Sequence, residues 1–154
     1  MSEVLTAERF ENGILPPVWV TLLPPFNGTW ITLADYKVTL LQGTLLIPIN
    51  FQFDLASIPR PIRALINTFQ LSLVAPLVHD YLYQNAGHFL DVATGQQRAM
   101  TRQESDLCFH SLMLQEGVPA TRAQLAYLGV RVGGWVTWSR VVKQRERALR
   151  SMGL

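Results

Sequence analysis

His79, Asp80 and Tyr83 are the residues of this sequence whose types and spacing best suit chemistry. On a helix, residues four apart share a face, so His79 and Tyr83 point the same way while Asp80 is turned about 100° from His79. An imidazole changes protonation near neutral pH, which suits it to take a proton from water. A carboxylate beside it can orient a partner's ring or ligate a hard cation through oxygen. Leu77, Val78 and Leu82 flank the trio and predict that it is buried. Burying adjacent titratable groups is costly unless each is hydrogen-bonded or binds a cation.

Two further acids could join them. Asp106 lies one turn before His110, inside a second helical stretch. If that helix packs antiparallel on the first, Asp106 can accept a hydrogen bond from one nitrogen of His79, leaving the other to act as a base on water. Asp54, in a turn after a β-rich region, is a third candidate, and read by itself it is a helix N-cap. Ser57 lacks a surrounding G-x-S-x-G elbow, so it belongs around the cluster, with Tyr83, rather than acting as a nucleophile. The single cysteine, Cys108, excludes an intramolecular disulfide framework and a Cys-based zinc site. Its neighbours Leu107 and Phe109 make it a buried structural thiol. The alternative for the whole group is a satisfied polar pair that fixes helix packing, with Tyr83 a packing residue whose hydroxyl meets a carboxylate.

The elements that must hold these residues follow from the local patterns. Val18–Leu23, Thr29–Leu33, Tyr36–Leu41 and Thr44–Ile49 are rich in Val, Ile, Thr and aromatics and read as strands. Gln42-Gly43 is a two-residue hairpin turn, and Pro48 ends its strand or places it at an edge. Asp54–Pro59 has the chemistry of a turn into a helix, and Pro61–Phe69 reads as a short helix. Pro76 opens another helix over Leu77–Asn85 that Gly87 ends. Thr101-Arg102-Gln103-Glu104 is a capping box, opening a helix that runs to about Glu116. Leu107, Phe109, Leu112, Met113 and Glu116 form its inner stripe. Pro119 starts a last helical region reaching about Arg150, bent at Gly133-Gly134. The expected fold is α+β: a small N-terminal antiparallel sheet followed by a bundle of three to four helices. Residues 1–154 read as a single domain, mainly β over 1–53 and mainly α over 54–150.

The 154 residues are 49% hydrophobic and 16% charged, with mean hydropathy +0.17. That is apolar for a small domain, so the fold or a partner covers much of this surface. Thirteen Lys and Arg against eleven Asp and Glu give a net charge of +2. Only Arg140–Arg150 is strongly basic, and the aromatic residues lie upstream of it, which argues against nucleic acid as the partner. Tyr127–Trp138 followed by these basic residues would suit a membrane interface; the alternative is a core helix with a solvated basic end. No apolar run approaches a membrane span, and Met1-Ser2-Glu3 does not begin a signal peptide. A cytosol is the expected site of synthesis.

Two resemblances rest on these motifs. Phe53-Asp54-Leu55-Ala56-Ser57-Ile58-Pro59-Arg60, His79-Asp80-Tyr81-Leu82-Tyr83 and Ser105-Asp106-x-x-Phe109, within about Tyr36 to Gly134, resemble an uncharacterised family of bacteriophage and prophage proteins. That resemblance implies a viral protein made in the cytoplasm of a bacterial host. The His79-Asp80-x-x-Tyr83 helix followed by Asp106 is also similar to the catalytic core of phospholipase A2 enzymes. The similarity implies that His79 activates water, Asp106 orients it, Asp80 binds calcium and Tyr83 braces the pair. Those enzymes complete the calcium shell from a glycine-rich loop, whereas Asp54–Phe69 contains no glycine. Asp54 or the carbonyls of Leu55–Ile58 would stand in.

Two functional expectations follow. One is a phage-encoded, calcium-assisted hydrolase acting on lipid esters. The other is a non-catalytic virion or assembly component, such as a tail or connector part. The latter would dock on other subunits, or as an oligomer, through its Pro-rich arm Leu15–Phe26 and its basic helix.

Overall fold

A computed structural model describes residues 15–25, 28–54, 60–61 and 72–154. Within them the arrangement is α+β, with small antiparallel sheets concentrated in the N-terminal half and four helices after them. The strands are β1 (Val20–Leu22), β2 (Trp30–Thr32), β3 (Tyr36–Leu40), β4 (Gly43–Ile47) and β5 (Gln52–Phe53), followed later by β6 (His88–Asp91) and β7 (Gln96–Ala99). The helices are α1 (Val74–Gln84), α2 (Arg102–Gln115), α3 (Ala120–Gly133) and α4 (Trp135–Ser151).

The strands divide into three sheets rather than one. β1, β2 and β5 form a three-stranded sheet in that order, while β3–β4 and β6–β7 are separate hairpins. In β3, Tyr36 and Val38 turn inward while Lys37 and Thr39 turn away, the alternation a half-buried strand requires. Leu40 pairs with Gly43, so the two-residue turn is Leu41-Gln42, one residue earlier than the sequence suggested. Gly43 opens β4 with φ +144° because the Asp91 carboxylate approaches it; a Cβ there would lie 2.9 Å from that carboxylate. Strand β4 stops at Ile47, just before Pro48, as the missing amide hydrogen dictates. The β6–β7 hairpin lies inside the half expected to be mainly helical. Its strand sequences are largely polar and carry little β signal.

Helix α1 begins earlier than Pro76 suggested. Leu73 gives it no side-chain cap. Instead the Glu116 carboxylate, from the end of α2, accepts the backbone amides of Leu73 at 2.9 Å, Val74 at 3.1 Å and Ala75 at 2.7 Å, and the Ser72 hydroxyl at 2.7 Å. A distant carboxylate thus satisfies the orphan donors of the first turn and complements the helix dipole. It also fixes direction: the start of α1 lies against the end of α2, so the two helices run antiparallel.

Helix α2 opens on the expected capping box, with Thr101 accepting from the Glu104 amide and Glu104 accepting from the Thr101 amide. Its inner face carries Ser105, Asp106, Phe109, Leu112 and Met113. Leu107, expected on that stripe, is 46% exposed, because the stripe runs through Asp106 and Phe109, about 100° and 160° from it round the helix. The core joins Val38, Leu45 and Ile47 of the hairpin to Leu77, Val78 and Leu82 of α1, Phe109 and Met113 of α2, and Ala123, Ala126 and Val130 of α3. The expected helix over Pro61–Phe69 lies almost entirely outside the described residues.

Candidate functional site

The α1–α2 packing brings His79, Tyr83 and Asp106 together in the interior. All three are buried, His79 and Asp106 completely. His79 Nε2 lies 2.8 Å from Asp106 Oδ1, and the Tyr83 hydroxyl donates to the same oxygen at 2.7 Å. A carboxylate facing Nε2 places the proton of a neutral imidazole on that nitrogen and its lone pair on Nδ1. The His79 ring is stacked obliquely between Tyr83 and Phe109, with centroid distances of 4.2 Å and 4.7 Å, which fixes its plane.

The second oxygen of Asp106 faces two guanidinium groups. Arg131 donates to Oδ2 at 2.8 Å, and Arg102 approaches it at 3.5 Å from one turn earlier on α2. Arg102 also donates to the carbonyls of Arg131 at 3.0 Å and Val130 at 3.4 Å. These are terminal carbonyls of α3, where a cation is favoured. Burial pushes the Asp106 carboxyl up. The hydrogen bond and charge of His79, with the Tyr83 and Arg131 donors, outweigh this and hold it below the ordinary carboxylate value. Tyr83 moves the other way, raised first by burial and then by its bond to Asp106.

Gly134, between α3 and α4, makes room for this cluster. A Cβ there would sit 2.5 Å from the Tyr83 hydroxyl and 2.6 Å from the Val130 carbonyl. Trp138 closes the outer side of Tyr83 with an edge contact at 5.1 Å.

The His79–Asp106 bond is the one expected if the two helices pack antiparallel, and the Tyr83 hydroxyl meets a carboxylate as expected. Neither arginine was among the expected site residues. Arg102 stands four residues before Asp106, a spacing that signals a helix pair. Arg131 is the single cation in the apolar run Leu128–Val136, where a charge needs a partner.

The proposed cation ligands are placed differently. Asp80 is buried, and its Oδ2 accepts a hydrogen bond from Gln84 Nε2 at 2.9 Å. The same Gln84 nitrogen donates to the Gln52 carbonyl at 3.2 Å, tying α1 to the strand that leads into Asp54. Asp54 itself is exposed. Among the described residues, no three His, Cys, Asp or Glu side chains form a group that could hold a metal ion. Asp80 and Asp54 therefore do not make a complete donor set between them. Ser57 and the carbonyls of 55–58 lie outside the described residues.

A groove of about 440 Å³ opens elsewhere, between the β3–β4 turn and α2, lined by Leu40, Leu41, Leu107, Cys108 and Ser111 among others. No residue of the His79 cluster lines it. Cys108 is half-buried rather than buried as expected, and the burial of its thiol pushes it up to about 12, which disfavours the thiolate a nucleophile needs.

A family described as "Protein of unknown function (DUF1353)" matches residues 30–130, which include every residue of the buried cluster except Arg131. The chain belongs to the DUF1353 family. No curated protein and no solved structure matches it. The DUF1353 stretch runs from β2 nearly to the end of α3; Gly134 and all of α4 lie beyond it. No helix among the described residues is long and apolar enough to cross a membrane.

Proposed function

We propose that this DUF1353 protein is a bacteriophage-encoded hydrolase of the phospholipase A2 type, in which His79 activates water for attack on a lipid ester. The observation that carries the reading is the Asp106 oxygen shared by His79 Nε2 and the Tyr83 hydroxyl. This arrangement supports the roles of base, orienter and brace that the motif resemblance implies. In this reading His79, held by Asp106, takes a proton from water as the water attacks the ester carbonyl. Asp106 stabilises the imidazolium that forms, and the imidazolium returns the proton to the leaving alkoxide. Asp80 and Asp54 are the residues proposed to meet a calcium ion, whose chemistry would be to polarise the ester carbonyl.

Two observations favour a second reading, a virion or assembly component whose cluster only fixes helix packing. His79 is fully buried, and two arginines saturate Asp106. Guanidinium charge on Oδ2 weakens the pull of Asp106 on an imidazolium, which blunts a base but stiffens a joint.

Fatty-acid release from phospholipid vesicles, with and without calcium, separates the two. The hydrolase reading expects release by wild type, and its loss in His79→Gln with the melting temperature largely retained. Calcium calorimetry on wild type and Asp80→Asn reads the cation role independently. No release by wild type under either condition, together with a His79→Gln defect seen only in thermal melts, would leave the structural reading standing.

A further inference from the structure

The last helix leaves the body of the protein. Of α4, Trp138, Val141 and Val142 are half-buried, but every residue from Lys143 to Leu154 is exposed. Trp138 packs towards Gly87 and Tyr83. These contacts define the inner side of α4. At 100° per residue, Arg140, Lys143, Arg147 and Arg150 then share the outer side, a stripe spaced three, four and three residues.

The outer side of α3 continues this stripe with a different chemistry. Ala123, Ala126 and Val130 face the core, whereas Leu125 is 52% exposed, Leu128 49% and Val132 76%. Trp135 and Val136 follow, 57% and 47% exposed. The helical bonds from Gly134 to Val130 and from Trp138 to Gly134 carry the path across the junction, so the two outer faces remain in phase. The result is one ridge about 37 Å long, apolar from Leu125 to Val136 and cationic from Arg140 to Arg150. Glu146 is the one acidic residue of α4.

We propose that this ridge docks on an anionic lipid surface, with the apolar part entering the interface and the four basic side chains meeting headgroup phosphates. The chemistry of the two parts selects the partner. Four aligned cations call for an anionic surface, and a nucleic acid offers nothing to the leucines and valine beside them. The exposed α4 suits a planar partner, because no part of the fold among the described residues shields its outer side. The basic part lies beyond the stretch that matches the DUF1353 family. The proposal supplies the surface for the lipid-ester reading, yet it stands on residues outside the His79 cluster and is tested separately from it.

Flotation with vesicles of phosphatidylcholine and phosphatidylglycerol in equal parts, against pure phosphatidylcholine, is the experiment. Wild type is expected to float with the anionic vesicles and to lose most of this binding in high salt. Each basic residue removed should weaken binding about fivefold, so Lys143→Glu with Arg147→Glu should weaken it more than tenfold without changing the thermal melt. Val132→Asp should weaken it through the apolar part. His79→Gln should float like wild type, so failure of the hydrolase reading leaves this result untouched. Equal flotation with both vesicle types overturns the proposal, as does a Lys143→Glu/Arg147→Glu protein that binds like wild type. Tighter binding to a DNA duplex than to vesicles, or a dimer sealed through Val132 that ignores vesicles, also overturns it.

Discussion

Asp91 and Asp106 are both buried carboxylates, 2% and 0% exposed, yet they are held in opposite ways. Asp91 accepts the backbone amides of Thr44 and Ala93 at 3.1 Å each and the Thr94 hydroxyl at 2.9 Å, with Arg98 3.6 Å away. Most of its donors are main chain, so its work is architectural: it pins the β6–β7 turn to the start of β4. Asp106 takes its donors from side chains on three helices: His79 and Tyr83 of α1, Arg102 of its own α2, and Arg131 of α3. Backbone donors cannot change protonation, whereas an imidazole can. The same acid is therefore a fastener in one place and a candidate proton-relay partner in the other.

The sharpest way to break this contrast is to remove Asp106. Asp106→Ala leaves His79, Tyr83 and Arg131 buried around a missing partner and should lower stability by about 3–5 kcal/mol, read by urea unfolding. Gly134→Ala comes next. An alanine would ordinarily strengthen a helical position, but its Cβ would push the Tyr83 hydroxyl off Asp106, for a net loss of about 1–2 kcal/mol. Asp91→Asn should do less than either, because an amide oxygen still accepts from Thr44 and Ala93 and its nitrogen can face the Thr94 hydroxyl. If Asp91→Asn proves more damaging than Asp106→Ala, the division into fastener and relay partner fails.

Acid sharpens the comparison further. Both carboxyls are held below their ordinary value of 3.8, Asp91 chiefly by the Thr44 amide and Asp106 by its side-chain donors against burial. A depressed folded pKa stabilises above the unfolded value, and that contribution is lost as pH falls through the folded one. Wild type should therefore lose stability below about pH 4, and both Asp106→Asn and Asp91→Asn should flatten that limb in urea titrations.

Much of the cluster was legible because it is local. His79 and Tyr83 share a face by helical geometry, and Thr101 with Glu104 announces the start of α2 three residues away. What escaped reading came from contacts across long separations. Glu116 lengthens α1 from more than forty residues away. Arg131 reaches Asp106 across 25 positions. The β6–β7 hairpin has polar strands whose pairing is set by Asp91 and the turn at Thr94-Gly95, not by β propensity.

The sequence by itself determined the α+β class, the capping of α2, the interruption of the last helical region near Gly134 and the shared face of His79 and Tyr83. Each rests on periodicity or a short motif, which are properties of neighbouring residues. Only the tertiary structure decided that Asp106 is shared among His79, Tyr83 and two arginines, that Asp54 stays at the surface, and that the basic end of α4 projects from the fold. Those outcomes depend on which distant faces pack together, and burial, not spacing, sets what each charge meets.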